Sequence, residues 1–416
     1  MDFAVAINYI NEKNKLGSVP GLDNIKELLN RLDNPQNKCT CLHIAGTNGK
    51  GSIFSFVQEI LLQAGYKVGR YISPTIFDYR ERFQINKEYI GEEDFAAILT
   101  EVSCAVSDME KEGLKSPTAF EIETAVAFLY FVRERVDYAL IECGMGGRLD
   151  GTNVIKEPLI TVMASISMDH MDFLGHSIEE IAREKTGIIK PGCKCVSFPQ
   201  SDAAAEVINE VCRKNQVTLY AVNEKDISDV KYGLEESSFS YKNHTYSTCL
   251  MGEHQIKNAA TAIEVAGCIE GVTQEHIRKG LKKTVWMGRM TKVADNPLTF
   301  VDGAHNQDAW MYLKDTINKY FTNKRIIYII GVLKDKEYGK MIDILKDTMS
   351  YAVVVTPDTP RGLDKDILVK LLRENGVVAD TADNSEEALE KAKSIACDQD
   401  VILVSGSLSF IGEYMK

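Results

Sequence analysis

Short apolar runs alternate with longer amphipathic stretches almost from end to end of this 416-residue chain. The pattern is that of a mostly parallel sheet covered by helices, because parallel strands are buried on both faces while each helix buries one stripe. The run CTCLHIA at 39–45 predicts a strand, IFSFVQEILLQA at 53–64 a helix, and KVGRYI at 67–72 the next strand. Gly65 is placed to cap that helix, since glycine readily takes the left-handed conformation found at helix C-termini. Further strands are predicted over 137–143, 159–166 and 194–198, with helices over 119–136 and 177–185. The second of these helices opens on Ser177 and Glu180 at capping-box spacing.

Residues 217–250 lose the helical period, and FSYKNHTYSTCLM within them predicts a few antiparallel strands. Helices follow over 252–270 and 273–283, then the polar segment TKVADNP, then a second alternating series with strands at 298–302, 325–333, 351–356 and 400–406. No internal repeat or low-complexity tract is present. The expected architecture is α/β in two parts: a P-loop domain with a mostly parallel sheet over 1–295, and a smaller Rossmann-like domain over 296–416.

Composition narrows the partners. With 44% hydrophobic and 26% charged residues, the chain has the make-up of an ordinary soluble globular protein. The excess of 60 acidic over 48 basic side chains argues against nucleic acid or an anionic membrane as the main partner. Small anionic ligands then require positive charge gathered locally. The start MDFAVAINYINEK has no basic region before an apolar run, and no apolar stretch approaches the roughly 18–20 residues that span a bilayer. The ten cysteines are scattered, and the close pairs Cys39/Cys41 and Cys193/Cys195 have one intervening residue, not the two of a zinc knuckle. On a strand such pairs share a face, so reduced core thiols and a cytoplasmic location are expected.

Candidate chemistry collects where predicted strands end, the place where open parallel sheets bind ligands. HIAGTNGKGS at 43–52 departs from the Walker pattern: Ile44 stands where the first glycine belongs, and Gly51 separates Lys50 from Ser52. Its glycines still allow backbone N–H groups to face phosphate oxygens, and Lys50 adds a point charge. Glu142 ends a strand and is followed by the glycine-rich CGMGGRLDGTN, which suits a carboxylate ligand of Mg²⁺; a capping or ion-paired role is an equal alternative from the residues alone. His170, in SMDHMDFLGH, and Lys185, in AREKTGIIKPG, read alone as a structural histidine and a helix-end lysine.

As a set, HIAGTNGKGS, SPTIFDYRERFQIN, ECGMGGRLDGTN, DHMDFLGHSIEEIAREKTGIIKPG, GEHQIKNAATA, DGAHNQ and SGS resemble, in order, the folylpolyglutamate synthases and bifunctional dihydrofolate synthases of the Mur ligase superfamily. The resemblance runs from about residue 40 to the end. It implies a Mur-ligase-like central domain and a reaction in which ATP phosphorylates a substrate carboxylate and glutamate's amine then displaces phosphate. Such phosphoryl transfer calls for positioning and charge neutralisation, not a protein nucleophile. The resemblance assigns Gly46, Thr47, Asn48, Gly49, Lys50, Gly51 and Ser52 to the triphosphate, Ser52 and Glu142 to a first Mg²⁺, and Ser73 and His170 to a second. It makes Lys50, Glu142, His170 and Lys185 the catalytic set, with Lys185 carbamylated by CO₂. Asn258, Arg289, Asp302 and His305 would complete the ATP site, Arg82, His305 and Ser407 would receive glutamate, and Thr118, Phe120, Asp150 and Gly151 would hold a pteroate. Small molecules are the implied partners, and the family's members are usually monomers.

Gln307 stands where the family usually has proline, and Met290 and Thr291 where leucine and glutamate are common, which bears on local backbone shape. A Mur-type ligase of cell-wall precursors is disfavoured by Gly51, where those enzymes carry a hydroxyl residue, and by the missing uridine-diphosphate domain. A GTPase-like regulator would need an Asn-Lys-x-Asp motif, and none is present. Open at this stage are the acceptor, dihydropteroate or a folate or both, and the glutamate chain length.

Overall fold

Strand and helix alternate as the hydrophobic pattern requires in the computed structural model, which describes residues 1–17 and 19–415. The chain forms two compact units, one of Met1–Pro74, Asp78–Asp226 and Lys257–Leu281, the other of Thr75–Phe77, Ile227–Ile256 and Lys282–Lys416. The first unit is built on eight strands: β1 Cys41–Ala45, β2 Val68–Tyr71, β3 Phe83–Ile85, β4 Glu88–Tyr89, β5 Tyr138–Glu142, β6 Ile160–Met163, β7 Lys194–Ser197 and β8 Thr218–Ala221. Their order is β4-β3-β2-β5-β1-β6-β7-β8. From β2 to β8 neighbouring strands are parallel, while β3 and β4 add an antiparallel edge.

Every residue of β1 is buried, which explains a strand without polar alternation. Helix Lys50–Gln63 is buried from Ser52 through Leu61, more than one stripe, because it is covered on a second side. That cover includes helix Gln274–Lys283, whose Gly280 lies so close that a Cβ there would come 2.6 Å from the Ile60 Cα. Helix Ala119–Arg133 packs against Glu92–Lys111 and Asp23–Arg31 around a core containing Tyr71, Phe83, Phe95, Phe128 and Phe131.

The second unit holds β9 Ile227–Lys231, β10 Ser237–Tyr241 and β11 His244–Thr248, an antiparallel sheet ordered β11-β10-β9. Its larger sheet contains β12 Thr291–Asp295, β13 Leu298–Asp302, β14 Ile326–Ile330, β15 Tyr351–Val354, β16 Ala379–Thr381 and β17 Val401–Ser405, in the order β12-β13-β17-β14-β15-β16. Trp310, Tyr328 and Phe300 fill its core. Two expectations are refined. Residues 218–221 pair parallel with β7 and belong to the first sheet, so the antiparallel stretch begins later than residue 217. The expected boundary near 295 falls inside the hairpin of β12 and β13; the second unit also takes in Ile227–Ile256, and the chain enters it for the last time at Lys282. The close-set cysteines are free thiols, with Cys41, Cys193 and Cys195 buried. Among the described residues no helix is long and apolar enough to cross a membrane.

Gly280→Ala gains helix propensity of about 1 kcal/mol but drives a methyl into the Ile60 backbone, an overlap costing about 1–3 kcal/mol or more. A lower chemical denaturation midpoint is expected. An unchanged or higher one contradicts this packing.

Candidate active site

Adjacent parallel strands β2, β5, β1 and β6 bring their C-terminal ends to one edge of the first sheet. Ser73 lies just beyond β2, Glu142 ends β5, the loop 46–49 follows β1, and Ser165 to His170 follow β6. Sequence reasoning named residues at all four ends, and the topology places these ends side by side.

The loop is pinned before it meets any ligand. Thr47 N and Asn48 N both donate to Ser165 O, at 2.6 and 3.3 Å. The Thr47 hydroxyl donates to Ser167 O at 3.0 Å and accepts from Ser167 N at 3.1 Å. These two residues therefore anchor the loop to the segment after β6. Gly49 takes φ 87° and starts helix Lys50–Gln63 without a side-chain cap, leaving first-turn N–H groups at the loop mouth. A Cβ on Gly49 would stand 2.7 Å from Asn258 Oδ1, so glycine is needed both for the turn and for the approach of Asn258.

Two lysines meet at one oxygen. Lys50 Nζ donates to Gly46 O at 3.1 Å and to Thr47 O at 3.3 Å, and Lys185 Nζ donates to the same Gly46 O at 3.0 Å. Lys50 also stands 3.8 Å from Glu142 Oε1. Burial, reinforced by the charge of Lys50, pushes the Lys185 amine down to about 7. A lysine at the end of an exposed-looking helix is thus a buried amine, 3% exposed. His170 is exposed, holds a left-handed backbone at φ 50°, and has its N–H on Asp169 Oδ1 at 2.9 Å. Among the described residues no cluster of three or more His, Cys, Asp or Glu forms a ready-made metal site.

The expected pteroate residues group around helix Ala119–Arg133. Thr118 caps it: its hydroxyl accepts from Glu121 N at 3.3 Å and donates to Glu121 Oε2 at 2.9 Å, so the TAFE spacing is a capping box. The Phe120 ring lies against the backbone of Gly144 and Gly151. Asp150 accepts from Thr152 Oγ1 at 2.5 Å, Thr152 N at 2.9 Å and Met145 N at 2.8 Å. Behind it His43 Nε2 lies 2.8 Å from Thr152 Oγ1, and burial holds His43 neutral, down to about 3. Since the Thr152 hydroxyl hydrogen is used on Asp150, His43 must donate through Nε2. Asp150 was named from the sequence, but its link through Thr152 to His43 escaped sequence reading, because His43 lies 109 residues from Thr152. Arg82 pairs with Glu123, Nη1 to Oε2 at 3.1 Å, a partner equally invisible in the sequence.

In the second unit β13 and β17 pair so that Asp302 sits opposite Ser405, which brings 302–305 and Ser407 to one corner. Asp302 accepts from Met290 N through Oδ2 and from Ala304 N through Oδ1, each at 2.9 Å. It therefore fixes the turn carrying Arg289, whose Nη1 donates to Gly288 O at 2.9 Å. His305 Nδ1 is 2.8 Å from Gly303 O; a carbonyl only accepts, so Nδ1 carries a proton. Ser407 is buried, 3.2 Å from Ser409 Oγ. The departures at 290, 291 and 307 are accommodated. Met290 gives its N–H to Asp302, Thr291 Oγ1 accepts from Gly288 N at 2.9 Å, and Asn306 caps the helix that Gln307 begins, where proline is preferred but not required.

Sequence profiles of known families match both units: the Mur ligase middle domain over residues 44–266 and the Mur ligase glutamate ligase domain over 288–408. The dihydrofolate synthase/folylpolyglutamate synthase of Bacillus subtilis (strain 168) is 36% identical, with 99% of this chain and 98% of that protein aligned. The chain belongs to the folylpolyglutamate and dihydrofolate synthase family of Mur ligases. Another member, the folylpolyglutamate synthase of Lacticaseibacillus casei, is 32% identical over 98% of this chain and 96% of its own. Among solved structures of the family, Mycobacterium tuberculosis folylpolyglutamate synthase complexed with ADP and AMPPCP superposes with a TM-score of 0.91 at 27% identity, covering 99% of this chain and 98% of that one. E. coli FolC in complex with DHPP and ADP gives 0.88 at 28% identity, covering 100% and 97%. This synthase family is one of ATP-dependent ligases, as the resemblance of the motifs implied.

Lys185 also sets a pH dependence. Its folded pKa of about 7 lies below the usual lysine value of 10.5, so between these limits the unfolded chain binds more protons. Stability from this residue therefore rises with pH across that window. Denaturant midpoints at pH 7 and 9 in CO₂-free buffer should rise more for the native chain than for Lys185→Met. Equal changes would contradict a buried neutral amine.

Proposed function

We propose that this chain is an ATP-dependent ligase that joins L-glutamate to the carboxylate of a folate, and to dihydropteroate, through an acyl phosphate. The observation that carries this reading is the convergence of Lys50 and Lys185 on Gly46 O, with Glu142 beside Lys50, at the edge where β1, β5 and β6 end. Both acceptors are proposed because the Bacillus subtilis relative is named for both activities. The Mur-type alternative has no comparable support.

In this reading the first-turn N–H groups after Gly49 and the Lys50 ammonium receive the triphosphate, while Thr47 and Asn48 hold the loop in place. Asn258 would meet the nucleotide from beside Gly49. The donor set suits Mg²⁺: the Ser52 hydroxyl and Glu142 carboxylate are hard oxygen ligands, both largely buried. When bound, the metal neutralises charge on the transferring phosphoryl group. Ser73, His170 and a carbamylated Lys185 would hold a second ion. An amine at about 7 is unprotonated in about half of the molecules at neutral pH, and that is the form that adds CO₂ and releases a proton to become a carbamate anion. Arg82 would take glutamate, and Phe120, Asp150 and Gly151 the pterin end, with Thr118 acting as a helix cap. The enzyme is proposed to work as a monomer.

Product analysis tests this directly. With Mg²⁺, ATP and glutamate, ADP release and a mass gain of one glutamyl residue are expected with both dihydropteroate and tetrahydrofolate. Gain with only one would remove the other activity. Lys50→Ala should lower turnover by about a thousandfold; retained turnover would remove the loop from the mechanism. Carbamylation is tested by ¹³C NMR after equilibration with ¹³CO₂. A carbamate resonance lost in Lys185→Ala is expected, and a spectrum identical for the two proteins would contradict it.

A further inference from the structure

Helix Ala119–Arg133 presents Glu123 and Thr124 one turn beyond Phe120, so a carboxylate shares the face of the ring proposed to wall the pterin site. Glu123 is 3% exposed, and the ligase chemistry above gives it no part. Its carboxylate is held at both oxygens. The Tyr79 hydroxyl donates to Oε1 at 2.6 Å, and Arg82 Nη1 stands 3.1 Å from Oε2. The Arg82 guanidinium also lies over the Tyr79 ring, 5.4 Å from its centroid. Its Nε–H is buried and has no protein partner among the described residues. Tyr79 and Arg82 begin and end one short 3₁₀ turn, which fixes their spacing against Glu123.

A guanidinium offers its donors in a rigid plane, and its fit to a carboxylate depends on how that plane is turned. A long arginine side chain alone samples many rotamers, and ordering it on binding costs affinity. Here one edge of the plane is tied to Glu123 and one face rests on Tyr79, so the remaining donors are aimed before any ligand arrives. We propose that Glu123, itself oriented by the Tyr79 hydroxyl, is a positioning residue that sets the plane of Arg82 for a carboxylate of the incoming glutamate. This rests on the reading of Arg82 as a glutamate-binding residue.

Orientation and simple charge competition have opposite consequences. If Glu123 only competes for Arg82, its removal frees positive charge and lowers the KM for glutamate; if it orients Arg82, its removal raises it. Steady-state kinetics should be measured for the native chain, Arg82→Lys, Glu123→Gln and Tyr79→Phe, varying glutamate, ATP and tetrahydrofolate in turn. Glu123→Gln is expected to raise the glutamate KM by about tenfold and Tyr79→Phe by about threefold, with kcat within about threefold and the ATP KM unchanged. A raised glutamate KM in Arg82→Lys together with an unchanged or lowered one in Glu123→Gln overturns the positioning role and leaves Arg82 in place. A parallel rise in the KM of all three substrates marks general damage and also overturns it. If Arg82→Lys leaves the glutamate KM untouched, the reading of Arg82 falls and the proposal with it. Should Glu123→Gln fail to fold, Tyr79→Phe, which loses only a hydroxyl, decides.

Discussion

The Gly46 carbonyl oxygen receives two lysine amines, and the rest of the site is arranged around that shared acceptor. Amines bound to one oxygen lie within about 6 Å of each other, where two full charges repel by about 3 kcal/mol at an effective dielectric near 20. That repulsion adds to the larger effect of burial, and together they push the Lys185 amine down to about 7. Lys185, the more deeply buried, is the one that yields, and Lys50 keeps Glu142 close by. Lys50, with Glu142 nearby, and a Lys185 amine brought down to about 7 thus stand side by side.

Holding that pair requires a loop that cannot drift. The Ser165 carbonyl fixes Thr47 and Asn48, and the Thr47 hydroxyl grips both the N–H and the C=O of Ser167. The segment after β6 therefore serves as a brace for the loop after β1, which parallel pairing of the two strands makes possible. The brace uses donors that a simpler phosphate loop would point at its ligand. The first turn of helix Lys50–Gln63 and Lys50 are left to supply the positive field.

Much of the first unit was legible because buried parallel strands leave unmistakable apolar runs, and because glycine, lysine and hydroxyl residues at strand ends mark ligand loops. The catalytic candidates Lys50, Glu142, His170 and Lys185 were all visible as residues. Less visible was what each had become. Lys185 reads as a surface helix end in the sequence, and only the packing of helix Ile178–Thr186 against the loop buries it. Thr118 and Asp302, expected at ligands, spend their polar atoms on a helix cap and a turn. His43 and Glu123 were passed over as ordinary strand and helix positions, since their partners are remote in sequence. The polar edge strand β8 was misplaced and the edge strand β12 missed for a related reason: edge strands lack the apolar signature of central ones.

The central claim is that this loop transfers a phosphoryl group to a carboxylate. The fate of the carboxylate's oxygen tests it most directly, because expulsion of phosphate from an acyl phosphate carries away the bridging oxygen. With the acceptor carboxyl group labelled in ¹⁸O, one labelled oxygen should appear in the inorganic phosphate released in each turnover. Inorganic phosphate free of label, with amide product formed at the normal rate, would contradict the account.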